Sequence, residues 1–124
     1  MSQTLKLVED LFRWNQVNLI HHAHLQKSEL SNFFAQQFVV KANGHEYAGN
    51  YENYFEFLNQ FRSTIQKISY LFGQEVIHDR RVALPIKAEI QRRNGDTEYY
   101  DAMLILEFDS NDKIILWHEV YVKL

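Results

Sequence analysis

One carboxyl in this sequence sits among residues that suit acid–base chemistry. Glu119 alternates with Trp117 and Tyr121 in a strand-like run near the end of the chain, so all three share one face. A carboxyl flanked by rings is partly desolvated, which raises its pKa toward working pH and suits a general acid or base. Read with a two-residue loop at Asn94-Gly95 and a four-residue loop at Asp109–Asp112, the last three strands place Lys87 across Ala102 from Glu119. There Lys87 would pair with the carboxylate and oppose the shift. Tyr100 and Tyr121 lie beside them as donors to a developing oxyanion. Catalytic candidates are therefore Glu119, Lys87, Tyr100 and Tyr121. The alternative is a structural Lys87–Glu119 ion pair with the tyrosines as core and rim; Glu89, nearer the turn, is a weaker candidate.

A second group lies near the amino terminus. Asn15, Asn18 and His22 recur at helical spacing and form one stripe able to hydrogen-bond a ligand, or else a solvated helix end. With Leu104 and Trp117 from the strands they make the expected ligand-binding set. His21, His22 and His24 do not converge on one helix face. His21 and His24 would supply two metal ligands with no obvious third, so histidines near a helix C-terminus, favoured by the helix dipole, explain them better. No metal or other cofactor is expected. No phosphate-cradling glycine loop or nucleophile elbow occurs.

The elements that must position these residues are legible from periodicity. Leu5, Val8, Leu11, Phe12 and Leu19 predict a helix over about 4–25. Ser28 is a candidate cap for a short second helix through Leu30 and Phe34. Phe38–Val40 reads as a short strand turned back at Asn43-Gly44. Asn50 caps a third helix carrying Tyr54, Phe55, Leu58, Phe61 and Ile65 on its apolar face, to about Gln66. Strands follow: Lys67–His78 with a bend at Gly73, Arg81–Arg93, then the two after Asn94-Gly95. Pro85 cannot donate to a ladder, so it implies a sheet edge or a bulge.

The last three strands present two surfaces. One carries Lys87, Glu89, Tyr100, Ala102, Leu104, Leu106, Trp117, Glu119 and Tyr121. The other carries Ile86, Ala88, Ile90, Met103, Ile105, Ile114, Leu116, His118, Val120 and Val122. Helices can cover only one, and the aliphatic surface is larger than a monomer usually exposes. A homodimer through the outer face of the sheet is the expectation; the alternative is that helices cover the aliphatic surface and the aromatic one stays wet.

Composition narrows the class. A chain of 124 residues, 46% hydrophobic and 23% charged, is expected to be a single domain over its whole length. A net charge of −3 without a basic run makes nucleic acid an unexpected partner. No apolar run approaches the ~18 residues of a membrane span, and the first residues lack a signal-peptide pattern. Cysteine is absent, which removes thiol chemistry and suits a cytoplasmic location.

The order of elements resembles the nuclear transport factor 2-like superfamily, which includes the SnoaL-like polyketide cyclases and ketosteroid isomerase. Four stretches carry the likeness: His24-Leu25 with Leu30–Phe34, Val39–Gly44, Gly49-Asn50, and Phe108–Ile115. The resemblance implies an α+β, cone-shaped fold, with helices packed on a strongly curved, mixed, largely antiparallel sheet. It places Asn18 at a pocket position and points Trp117, Glu119 and Tyr121 into the cone. It implies a small hydrophobic ligand and, in some members, cofactor-free isomerisation, cyclisation or dehydration. The known catalytic residues do not carry over. Ala42 falls where the isomerase has its base, Asn18 at its tyrosine, Leu104 at its protonated aspartate, and Tyr121 or Val122 at the cyclase aspartate. The superfamily is a scaffold for many functions, and a non-catalytic ligand-binding or dimerisation module is the second expectation.

Overall fold

A computed structural model describes residues 3–124. Helix α1 (Gln3–Asn18) and a short 3-10 turn (Lys27–Asn32) precede strands β1 (Phe34–Ala42) and β2 (His45–Asn50). Helix α2 (Tyr51–Arg62) leads into β3 (Ile65–Phe72), β4 (Val76–His78), β5 (Arg81–Arg92), β6 (Thr97–Phe108) and β7 (Ile114–Lys123). The sheet runs β2-β1-β7-β6-β5-β3, with β4 also on β5. The β1–β7 pair is parallel and the others are antiparallel. This is the mixed α+β sheet expected.

Local chemistry explains most element ends. Asn50 caps α2 as expected: its side-chain Oδ1 accepts the Asn53 N–H at 2.9 Å, and Asn53 returns the bond to the Asn50 N–H at 3.0 Å. Helix α1 stops at Asn18, well short of Leu25. The Asn18 side-chain amide folds back and donates to the Trp14 carbonyl at 3.0 Å, on the last turn of the helix. Leu19 and Leu25 still enter the core, from the turn that follows. The 3-10 turn is capped by Gln26 rather than Ser28. At β2, Gly49 passes directly under the Phe38 ring, where any side chain would collide with it. Pro85 lies in neither an edge nor a classical bulge. β3 ends opposite Ile86 and β4 begins opposite Ala83, so the missing N–H of Pro85 falls in the gap, while its carbonyl accepts the Gly73 N–H at 2.9 Å.

The two hairpin turns decide which side chains face inward. Both are three-residue loops rather than loops of two and four. Arg92 pairs with Asp96 around Arg93-Asn94-Gly95, with Gly95 at φ 96°. Asp109 pairs with Lys113 around Ser110-Asn111-Asp112, with Asp112 at φ 62°. A type I turn closed by a left-handed residue gives this geometry. The first turn moves the β5–β6 register by one residue: Lys87 lies opposite Asp101, and Ile86 opposite Ala102. The second turn moves β6–β7 by one, and a bulge at Ile115 adds another, so Leu104 meets Glu119 and Ala102 meets Tyr121. A shift of two preserves the face; a shift of one reverses it. Trp117, Glu119 and Tyr121 therefore stay on the face of Tyr100, Ala102 and Leu104, as expected. Lys87 and Glu89 move to the outer face, and Ile86, Ala88 and Ile90 to the inner one.

The core lies between that inner face and the helices. Val82, Leu84, Leu104, Leu106 and Ile114 from the sheet meet Val8, Leu11, Leu30 and Leu58. Among the described residues no helix is long and apolar enough to cross a membrane.

Candidate functional site

Glu119 is held by three strands. β7 pairs with β1 at Ala42 and with β6 at Leu104, so the Glu119 backbone is fixed on both sides. Asn43, in a left-handed turn after β1, extends the clamp. Its Oδ1 accepts the Tyr121 N–H at 2.8 Å, and its Nδ2 donates to the Tyr121 carbonyl at 3.2 Å. The Glu119 side chain is largely buried. Burial raises its pKa, opposed in part by a hydrogen bond from the Trp117 indole.

A continuous arc of rings surrounds the carboxyl. Tyr54 of α2 packs on Phe34 of β1 with centroids 4.8 Å apart, and Phe34 lies 6.4 Å from Trp117. Trp117 lies 6.1 Å from Phe12 of α1, and Phe12 lies 4.8 Å from Tyr70 of β3. Both end members, Tyr54 and Tyr70, sense the Glu119 charge. Burial raises the two hydroxyls first, and the carboxylate raises them further. Both are neutral donors at any physiological pH. Asn15, the one buried polar side chain among the described residues, hydrogen-bonds the Tyr70 hydroxyl. Beyond this arc the inner face carries its smallest side chains, Ala88 and Ala102, between Tyr70, Tyr100 and Tyr121. They floor a shallow trough leading to Glu119.

A second, differently built cluster closes the other end of the trough. Arg92 Nε and Nη2 donate to Glu98 Oε1 at 3.0 and 2.7 Å, and the Tyr100 hydroxyl donates to the same oxygen at 2.7 Å. Lys123 Nζ reaches Oε2 at 3.3 Å. These donors, Arg92 foremost, hold the Glu98 carboxyl down at about 2.

Several expectations are corrected here. Lys87 is exposed on the outer face opposite Asp101, so it neither pairs with Glu119 nor joins any inner-face chemistry. His22 lies in the turn beyond α1, exposed and edge-on to His21, not on a stripe with Asn15 and Asn18. Asn18 is committed to the Trp14 carbonyl. Tyr100 is spent on Glu98. Leu104 is fully buried beneath Glu119 as packing. The structure does bring Glu119, Trp117, Tyr121 and Asn15 to one side of the sheet. Two shallow grooves lie elsewhere, one of about 550 Å³ beside Lys27, Glu52 and Phe55 and one of about 380 Å³ beside Gln37, Val39 and Ile115.

Sequence reasoning missed Tyr54 and Tyr70 as polar members of the site. Their signal was present: a tyrosine inside the apolar stripe of α2, and another in the Ile68-Tyr70-Phe72 alternation of β3.

No protein-family model matches the chain, and no curated protein does. Solved structures do. An NTF2-like protein of unknown function from an Exiguobacterium species aligns at TM-score 0.68 with 15% identity, covering 98% of both chains. An NTF2-like protein from Anabaena variabilis aligns at TM-score 0.75 with 16% identity over 98% of this chain and 94% of its own. The fold is nuclear transport factor 2-like. An M. tuberculosis LEH-like epoxide hydrolase shares this NTF2-like fold at TM-score 0.72, with 10% identity over 96% of this chain and 82% of its own. Identities this low carry the NTF2-like architecture and no residue roles.

Proposed function

We propose that the inner face of the sheet binds a small, largely hydrophobic organic molecule and that Glu119 transfers a proton to or from it, without a cofactor. Isomerisation, cyclisation and dehydration are the reaction types that one carboxyl base and neutral donors can serve. The observation that carries this reading is the carboxyl itself: largely buried, raised in pKa, and ringed by Trp117, Tyr54 and Tyr70. In this reading the ligand lies over Ala88 and Ala102 against Tyr121, and the Tyr70 hydroxyl, held by Asn15, stabilises negative charge as it develops. Replacing Glu119 with glutamine tests it: turnover should be lost while binding of a neutral ligand survives. Loss of nothing would sink it.

Neither Lys87, which faces outward, nor Tyr100, which is held by Glu98, joins Glu119, and this favours a second reading, a ligand-binding module with no catalysis. Under it, Glu119→Gln alters stability alone.

We further propose that two copies pair through the outer face of the sheet. Tyr99, Met103, Val120 and Val122 are each more than half exposed there, and Ile105, His118 and Leu116 lie beside them on β6 and β7, with Lys87, Asp101 and Glu107 as the charges on the same face. An apolar surface of this kind marks an interface in a protein that stays dispersed. Met103→Asp should convert a dimer to a monomer in analytical ultracentrifugation; a wild-type monomer at micromolar concentration would refute the pairing.

A further inference from the structure

The deep end of the inner face lacks a positive charge. Glu119 forms no ion pair among the described residues, and each cation that might have served is placed elsewhere. Arg92 and Lys123 are held by Glu98 at the far end of the trough. Lys87 points outward opposite Asp101. Lys41, on the strand next to β7, pairs with Glu46 at 3.6 Å. A desolvated carboxylate without a counter-charge is costly to hold, yet the fold pins it from both neighbouring strands.

The groups around it are those that favour a cation. Trp117, Tyr54 and Tyr70 present rings, and ring faces attract ammonium groups through their quadrupole. The polar atoms nearby, the indole N–H of Trp117 and the Asn15 amide, are already turned to Glu119 and Tyr70. Beyond the Tyr54 and Tyr70 hydroxyls, an anionic ligand group would meet Glu119 with no cation to offset the repulsion.

We infer that the ligand of this site is an organic cation, an amine whose ammonium group takes Glu119 while its apolar body lies over Ala88 and Ala102. This rests on the proposal above that the inner face holds a ligand, and it narrows the class of that ligand. The carboxylate and the aromatic arc act together: the first supplies the opposite charge, the second a surface that tolerates the charge out of water.

A matched set of probes tests it on the unmodified protein: phenethylamine, 2-phenylethanol and 3-phenylpropanoate, of similar apolar body and different charge. The Trp117 indole N–H resonance is the reporter in a titration near neutral pH. The amine should bind about tenfold or more tighter than the alcohol, the size of one desolvated ion pair with ring contacts, and the carboxylate should leave the signal unmoved. Glu119→Gln should erase the preference for the amine and spare the alcohol. Equal or tighter binding of the alcohol overturns the cation assignment and leaves the hydrophobic site standing. A preference that survives Glu119→Gln also overturns it. If none of the probes moves the Trp117 signal, both the cation and the binding site are refuted.

Discussion

Two glutamates on the same face of one sheet have been given opposite environments. Glu98, at the start of β6, receives Arg92, Tyr100 and Lys123, and its carboxyl is held down at about 2. Glu119, near the end of β7, receives one indole N–H and a wall of rings, and its carboxyl is pushed up. Burial distinguishes them first, and the supply of cations second: Glu119 is desolvated without a cation, whereas Glu98 is open to solvent and held by Arg92. The comparison separates structure from function. A satisfied carboxylate stabilises the fold, whereas an unsatisfied one is retained at a cost that a ligand or a reaction explains.

The sharpest way to break the contrast is to remove its unsatisfied member. Glu119→Gln should lower any proton-transfer turnover by roughly 10²–10⁴-fold, the range for a positioned general base. The same variant should be more stable than wild type near pH 7. Because the folded pKa is raised, the ionised carboxyl subtracts stability above the ordinary glutamate value. The gain should therefore shrink as pH falls through the raised pKa and be gone below the ordinary glutamate value of about 4.5; thermal melts near pH 7 and below that value check it.

Next in size is a buried ring of the aromatic arc. Phe12 contacts Tyr70, Phe72 and Trp117. Phe12→Ala should cost about 3–5 kcal/mol of stability in a denaturant titration, and by hydrating Glu119 should bring its pKa back toward the ordinary range. Glu98→Gln should destabilise the protein near neutral pH. Here the folded pKa is depressed, so the stabilisation is present above about 4.5 and lost as pH falls toward about 2. Wild type and variant should converge in that window in acid-titrated melts. The smallest effect belongs to Lys87→Ala, which should leave ligand binding and the Glu119 titration unchanged, since Lys87 lies on the other side of the sheet.

The sequence made the elements legible where periodicity was long. The long strands, the α2 cap at Asn50 and the shared face of Trp117, Glu119 and Tyr121 all follow from side-chain alternation and turn residues. What it did not make legible was turn length. Asn-Gly closes a two-residue turn with both residues left-handed, or a three-residue loop with glycine alone left-handed. Only Gly95 adopts positive φ at that turn, and the single residue of difference sent Lys87 outward. On β7 the error of one at the turn was cancelled by the Ile115 bulge, so the same misreading left Glu119 correctly placed. The Tyr54 and Tyr70 hydroxyls were hidden for another reason: their rings pack as core, and only the tertiary packing of α2 and β3 brings them round to Glu119.

The most direct test is an NMR titration of the glutamate side-chain carboxyl carbons, with Glu98 and Glu119 assigned by their glutamine variants. Glu119 should titrate above the ordinary range for the residue and Glu98 near 2. A Glu119 midpoint at or below the ordinary value would mean that a counter-charge or water reaches it, and the account of an unsatisfied inner-face carboxyl would be wrong.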